Sequence, residues 1–290
     1  MNENVKAALK KRAEKVISAL EKNNMKGYLV DTPDEAKQII KHITGFSNSE
    51  ILMNYTNRLT EFQSNNLTAI IKQRAIRYPL QYIFGEWAFY GREFFVGPGV
   101  LVPRADTETL VGVCLKYLEN TENPAVLDLC AGSGCIGITL ALEKAGAAVT
   151  LVEKFPEAAR YAERNIKRLM ADNAALVIGD VLEGAANDKN YDLIVSNPPY
   201  IPKNEMKTVS PEVHYEPETA LFGGEDGLDF YRAVITEYKK ALKAGGMLAF
   251  EVGAGEAAAA EKLLENAGFK EINNAKDLSG ICRAVYGLKG

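Results

Sequence analysis

Histidine is almost absent from this chain: His42 and His214 are the only two in 290 residues, which leaves little for a zinc site. The four cysteines, at 114, 130, 135 and 282, form neither a CxxC pair nor a disulfide framework. No apolar run approaches the length of a membrane span. Residues 1–20 are lysine-rich and helical in pattern, without the apolar stretch and cleavage site of a signal peptide. Basic charge is not in excess: the net charge is −4 and no basic stripe is visible, which speaks against a nucleic-acid interface. Together these absences predict a reduced, cytoplasmic, metal-free protein, with no membrane segment and no direct nucleic-acid partner.

What remains is an ordinary globular composition, 47% hydrophobic and 25% charged, with its charge unevenly spread. Residues 1–85 carry 13 Lys and Arg against 8 Asp and Glu, and the remainder 21 against 30. A mildly basic small domain on an acidic large one fits an acidic partner for the first, or simply solvated helix faces. Val5, Leu9, Ala13, Val16, Ile17 and Leu20 recur at helical spacing. Thr32-Pro33-Asp34-Glu35 reads as a capping box opening a helix through Ile39, Ile40 and Ile43, and Ser47-Asn48-Ser49-Glu50 as another. A further helix is predicted over residues 59–76. Residues 1–77 therefore read as a small helical bundle without a catalytic constellation, suited to docking a substrate.

Residues 78–102 form an aromatic junction, with eight aromatics between Tyr78 and Phe95. Stretches 86–90 and 93–96 read as a β-hairpin turning at Gly91-Arg92. In Pro103-Arg104-Ala105-Asp106-Thr107-Glu108, Asp106 is placed to cap the helix through Leu110, Cys114, Leu115 and Leu118. Arg104 is placed to pair with Asp106 or Glu108, or to close over a carboxylate.

Residues 103–290 form the large domain. From residue 125 strands and helices alternate, which predicts an α/β fold, a Rossmann-like parallel sheet covered on both faces. Strands are predicted over 126–129, 149–153, 176–178, 193–195 and 247–252, with later pieces near 270–272 and 283–288. Helices fall near 136–144, 156–170, 230–242 and 257–267.

The chemistry gathers at the strand ends, where open α/β sheets bind ligands. The first strand leads through Asp128 into Cys130-Ala131-Gly132-Ser133-Gly134, and residues 132–137 match G-x-G-x-x-G. A dinucleotide site is one reading, but a carboxylate at Asp128 would repel a pyrophosphate and attract an amino group. S-adenosylmethionine has an ammonium and no phosphate. Glu153, ending the second strand, could accept from two vicinal ribose hydroxyls. Asp180 could accept from the adenine amino group, with Val181 as an apolar edge. The other reading of these acids is plain strand-end capping.

The fourth strand ends in Ser196-Asn197-Pro198-Pro199-Tyr200. Pro198 restricts Asn197 to extended geometry, and the prolines fix their own φ and carry no N–H. The stiff segment offers two acceptors, the Asn197 side-chain oxygen and the Pro198 carbonyl, beside the flat wall of Tyr200. That arrangement suits a planar group bearing an –NH₂, either an amide or an amino-purine.

With the glycine loop and Asn-Pro-Pro-Tyr in one chain, the sequence resembles the HemK/PrmC family, the N5-glutamine methyltransferases of peptide-chain release factors. The likeness covers most of the chain. Pro79-Leu80-Gln81-Tyr82-Ile83-Phe84-Gly85 resembles the family's junction motif. Asp128 to Gly134 resembles its first cofactor loop, and Ser196 to Ile201 its substrate loop. Glu216-Pro217 with Ala220 to Leu228 resembles its downstream signature. Where the family commonly reads Pro-Arg-Pro-Glu-Thr-Glu, Ala105 and Asp106 depart.

The resemblance implies a class I S-adenosylmethionine-dependent methyltransferase sheet behind a helical domain and a hairpin. It implies cofactor contacts from residues 130–134, Glu153, Val181 and Asn197. It implies that Asn197, Pro198, Pro199 and Tyr200 hold the glutamine side chain, that of the Gly-Gly-Gln loop of release factors. Asn197, Pro198 and Tyr200 are then the catalytic candidates, with no metal. A ribosomal-protein glutamine and a flipped adenine N6 on nucleic acid are alternative acceptors. A nicotinamide dehydrogenase is disfavoured by Asp128, and a non-catalytic binding module would carry the same loops without turnover.

Overall fold

The computed structural model describes residues 32–54 and 58–290. The helix expected over residues 5–20 lies outside them, as does the capping side chain expected at Thr32. The chain divides into two compact units between Phe84 and Gly85, inside the stretch expected as a junction.

In the first unit α1 (Thr32–Thr44), α2 (Asn48–Met53), α3 (Glu61–Ala75) and the short α4 (Leu80–Phe84) follow one another. Ser47 and Glu50 form the expected reciprocal capping box on α2. Thr60 and Gln63 form a second on α3, which was not among those expected. Ile39, Ile70 and Leu80 make a small buried cluster. Arg74, 4% exposed, pairs with Glu35 at 2.5 Å and donates to the Tyr78 carbonyl at 2.6 Å.

The second unit opens with the hairpin β1 (Glu86–Phe89) and β2 (Arg92–Phe95). Phe89 pairs with Arg92, so the turn residues are Tyr90-Gly91 and not the expected Gly91-Arg92. Both lie at positive φ, 49° and 73°, as a two-residue turn of the primed type requires. The carboxylate of Glu108 accepts the Tyr90 N–H at 2.8 Å and so helps hold a non-glycine residue in that conformation.

After α5 (Glu108–Tyr117) come β3 (Ala125–Leu129), α6 (Cys135–Glu143), β4 (Ala148–Glu153), α7 (Pro156–Leu169), β5 (Ala174–Ile178) and β6 (Tyr191–Ser196). Then follow α8 (Asp229–Tyr238), β7 (Leu242–Glu251), α9 (Ala257–Asn266), β8 (Phe269–Lys276) and β9 (Cys282–Lys289). The sheet order is β5-β4-β3-β6-β7-β9-β8. The first five strands are parallel, and β9 runs antiparallel to both its neighbours.

Side chains alternate between faces along each strand, and the core divides accordingly. Val126, Leu193, Val195 and Ala249 face one cluster with Leu110 and Ile138. Leu127, Leu129, Ile194 and Phe250 face the other with Val234 and Leu264. Each such side chain, fully removed from water, stabilises the fold by roughly 1.5–3 kcal/mol. The order reverses between β3 and β6, and a crevice opens at that switch point beyond the strand ends.

Candidate active site

The loop after β3 is shaped by close approach. Gly134 begins α6 at φ 79°, and a Cβ there would come within 2.7 Å of Ile138 Cδ1 and 3.0 Å of Leu151. At Gly137 a Cβ would meet Asp128 Oδ2 at 2.8 Å and Leu151 Cγ at 2.9 Å. The third glycine of the pattern thus lets the first turn of α6 settle onto the strand.

This closeness corrects the role expected of Asp128. It is wholly buried, accepts the Gly137 N–H at 2.8 Å, and stands behind the loop, off the wall of the cavity in front of it. Its Oδ1 has no hydrogen-bond partner. Burial pushes its carboxyl up to about 7, partly offset by the Gly137 N–H.

In front of the loop lies a cavity of about 390 Å³, within the ordinary range for small-molecule sites. Cys130, Ala131, Gly132 and Ser133 form one wall. The Cys130 and Cys135 thiols are held protonated by burial, Cys135 up to about 12, so neither is a nucleophile at neutral pH.

Glu153 ties the loop to β4. Its two oxygens accept the Gly132 N–H at 2.8 Å and the Phe155 N–H at 2.8 Å. Burial raises its proton affinity, and these N–H groups oppose the rise. Asp180 accepts from Lys154 Nζ at 2.6 Å and from the Leu182 N–H at 2.9 Å. Burial pushes its carboxyl up, but these donors more than offset it and leave it below the usual range. Val181 is buried beside it on the same wall.

A second cavity, of about 290 Å³, is lined by Asn197, Tyr200, Ser210 and Glu251 among others. Leu101, Arg104, Asn197 and Ala220 line both cavities, so Asn197 borders each of them. Pro199 faces the first cavity, Tyr200 the second, and the buried Pro198 neither. Asn197 Nδ2 donates to Thr107 Oγ1 at 3.5 Å, and the Tyr200 hydroxyl donates to Glu251 Oε1 at 3.4 Å.

The approach to these cavities also corrects two expectations. Arg104 pairs with Glu216, not with Asp106 or Glu108; Glu216 also accepts the Val102 N–H at 3.0 Å. Asp106 caps nothing. The chain makes a 3-10 turn at Ala105–Thr107 before α5, and Asp106 pairs with Arg283 at 2.8 Å. Thr107 and Glu251 are the residues at this site not expected from the sequence. Glu251 carries a usable signal, since it is an acid ending an apolar strand like Glu153. Thr107 meets its partners only through the fold.

The residues fit S-adenosylmethionine better than a dinucleotide. A Cβ on Gly132 would point toward Val100 Cγ2, 3.9 Å away on the cavity wall, so its absence leaves a cradle. The basic side chains on the wall, Arg104 and Lys154, are already paired with Glu216 and Asp180, which leaves neither for a pyrophosphate. Among the described residues no three His, Cys, Asp or Glu are grouped to hold a metal ion. None of the described helices is long and apolar enough to cross a membrane.

Comparison with known proteins agrees with this geometry. The methyltransferase small domain model matches residues 105–214, and the PrmC N-terminal domain model matches residues 17–85. A methyltransferase from Pyrococcus furiosus shares the fold, with a TM-score of 0.52 and 21% identity over 78% of this chain and 99% of that one. The release factor glutamine methyltransferase of Clostridium acetobutylicum is 36% identical over 282 residues, 95% of this chain and 96% of the relative. That of Geobacter sulfurreducens is 38% identical over 257 residues, 88% and 89% of the two chains. Likeness of that degree, running from the helical unit to the last strands, shows that this chain belongs to the release factor glutamine methyltransferase family.

Proposed function

We propose that this chain transfers a methyl group from S-adenosylmethionine to the side-chain amide nitrogen of a release-factor glutamine, that of the Gly-Gly-Gln motif. The observation that carries the reading is that Asn197 borders two separate cavities. Asn197 lines both the space before the glycine loop and the space beside Tyr200, so a single residue can touch a donor on one side and an acceptor on the other.

Residues Cys130 to Gly134, with Glu153, Asp180 and Val181, would hold the cofactor, and Asp128 supports their loop from behind. When bound, S-adenosylmethionine supplies an electrophilic methyl on a sulfonium. The residues of the chain have to make an amide nitrogen receptive to it. Its lone pair is delocalised into the carbonyl, and removing a proton outright is impractical near neutral pH.

Acceptors on the N–H bonds raise electron density on nitrogen and act more strongly as charge develops. The Asn197 side-chain oxygen takes one N–H. The other goes to the Pro198 carbonyl, one peptide along the same stiff segment, which must be reached as the acceptor seats; such bonds often tighten only in the reactive complex. Tyr200 packs on the amide and excludes water. The proton leaves afterwards to water, so no strong base is required beforehand.

Residues 1–77 dock the substrate protein in this reading, through their mild excess of basic charge, and the enzyme works in the cytoplasm without membrane or nucleic acid. Transfer of labelled methyl from S-adenosylmethionine tests the assignment, with a release factor, ribosomal protein and DNA offered in parallel. Label on the release-factor glutamine supports it. Label only on ribosomal protein or on adenine would replace it with one of the alternative acceptors.

A further inference from the structure

Beyond the carboxyl end of β7 stands a tight turn carrying a leucine that the fold does not bury. β9 pairs with β7 antiparallel, with Ala284 opposite Glu251. The residues just before β9 therefore stand past the ends of the parallel strands, on the edge where ligands bind. The Val252 N–H donates to the Arg283 carbonyl at 3.0 Å, and Glu251 lines the second cavity. The turn joining β8 to β9, residues 277–281, is thus carried by the strand next to that cavity.

Asp277 and Gly280 are what a turn requires. Asp277 Oδ1 accepts the Ser279 N–H at 2.8 Å and the Ile281 N–H at 3.0 Å, and Gly280 takes a φ of 82°. Leu278 answers no such need. It is fully exposed, and Ile281 at the other end of the turn is 39% exposed. A single leucine on a surface needs no explanation, but this one sits on a braced tip. Asp277 Oδ2 accepts from Arg283 Nε at 3.0 Å, and Arg283 Nη2 pairs with Asp106 at 2.8 Å. Asp106 lies in the 3-10 turn between Arg104, which lines both cavities, and α5. One chain of ion pairs therefore ties the exposed tip to the segment beside the candidate active site. A backbone fixed in advance loses little freedom when a partner covers it.

The reach is sufficient. A glutamine entering the second cavity brings the body of its protein over the strand ends. A standard interface covers about 800 Å² on each partner, a disc of about 16 Å radius. Ile281 is at most about 10 Å along the chain from Ala284, and Ala284 stands about 5 Å from Glu251 across the strand pair.

We propose that the 277–281 turn is a docking contact for the release factor, with Leu278 seated in an apolar hollow of that protein beside the loop to be methylated. The inference rests on the reading of the second cavity as the place of the acceptor glutamine.

The Kd of the release factor, titrated into wild type, L278D and L278M with the demethylated cofactor present, tests it. L278D should weaken binding by about tenfold to hundredfold, the scale of one leucine left out of an apolar contact. L278M keeps an apolar anchor of similar volume and should stay within about threefold of wild type. In both variants kcat at saturating release factor and the cofactor Kd should stay within about threefold of wild type. Leu278 is fully exposed, so neither change removes packing inside the chain. An unchanged Kd in L278D, or an L278M as weak as L278D, overturns the proposal. Light scattering supplies a further check: a wild-type dimer that L278D dissociates would make the turn a contact between copies of this chain, and would overturn it too. N197A keeps the two readings apart, since wild-type kcat in N197A overturns the assignment of the acceptor site whatever the Kd of L278D.

Discussion

Replacing Glu153 by glutamine separates the loop-holding acid from the cofactor-binding one. In the wild type the two carboxylate oxygens take the Gly132 and Phe155 N–H groups, each at 2.8 Å, on a residue 6% exposed. Glutamine offers one oxygen and one NH₂, so one of those N–H groups must face a donor. A hydrogen bond to a charged group is worth about 1.5–3 kcal/mol, and every 1.4 kcal/mol is a factor of about ten in affinity. If the same carboxylate receives the two ribose hydroxyls, E153Q should raise the Kd for S-adenosylmethionine by about tenfold to hundredfold. Calorimetric titration with the cofactor and with its demethylated product measures this, and urea unfolding reports the accompanying loss of stability. A Kd within about threefold of wild type would refute the assignment of Glu153 to the ribose.

The remaining predictions concern the scaffold. The Asp128 carboxyl is raised to about 7, mainly by burial, from an ordinary 3.8; the folded state then holds its proton more tightly than the unfolded chain. Its contribution to stability is therefore greatest below pH 4 and falls as pH rises through 7, and urea unfolding of D128N should lack that slope. G137A should lose about 1–3 kcal/mol, because its Cβ would press on Asp128 and Leu151; an unchanged denaturation midpoint would contradict this. Asn165 joins the Phe95 N–H at 2.7 Å and the Phe95 and Ser133 carbonyls at 3.1 and 2.9 Å. N165A leaves these groups unpaired and should cost about 2–4 kcal/mol, with faster amide exchange at Phe95 as the local readout.

Four of the five parallel strands, β3, β4, β6 and β7, are legible in the sequence because they are buried along most of their length and read as short apolar runs between turns. The capping box at Ser47 is legible because its two partners are three residues apart. Tyr90 is not, since nothing in its side chain announces a positive φ, and the hairpin turn shifts by one residue as a result. Arg104 finds its partner 112 residues away at Glu216, beyond any local pattern. Asp106 looks like a cap only until the chain tightens into a 3-10 turn before α5. Asp128 looks as if it faces the ligand because the strand end, and not the settling of Gly137 onto it, is what the sequence displays. The glycine loop, Glu153, Asp180 and Asn197 share one crevice because each follows a strand of the same parallel sheet; Thr107 enters it from outside that pattern.

The claim that Asn197 polarises the acceptor amide is tested most directly by the single-turnover methylation rate of N197A with cofactor saturating and its Kd measured separately. The expected result is a loss of about 10²–10³-fold in rate, the scale of removing one preorganised polar group from a transition state, with the Kd for S-adenosylmethionine within about threefold of wild type. A rate close to wild type, or a loss accounted for wholly by weaker cofactor binding, would contradict it.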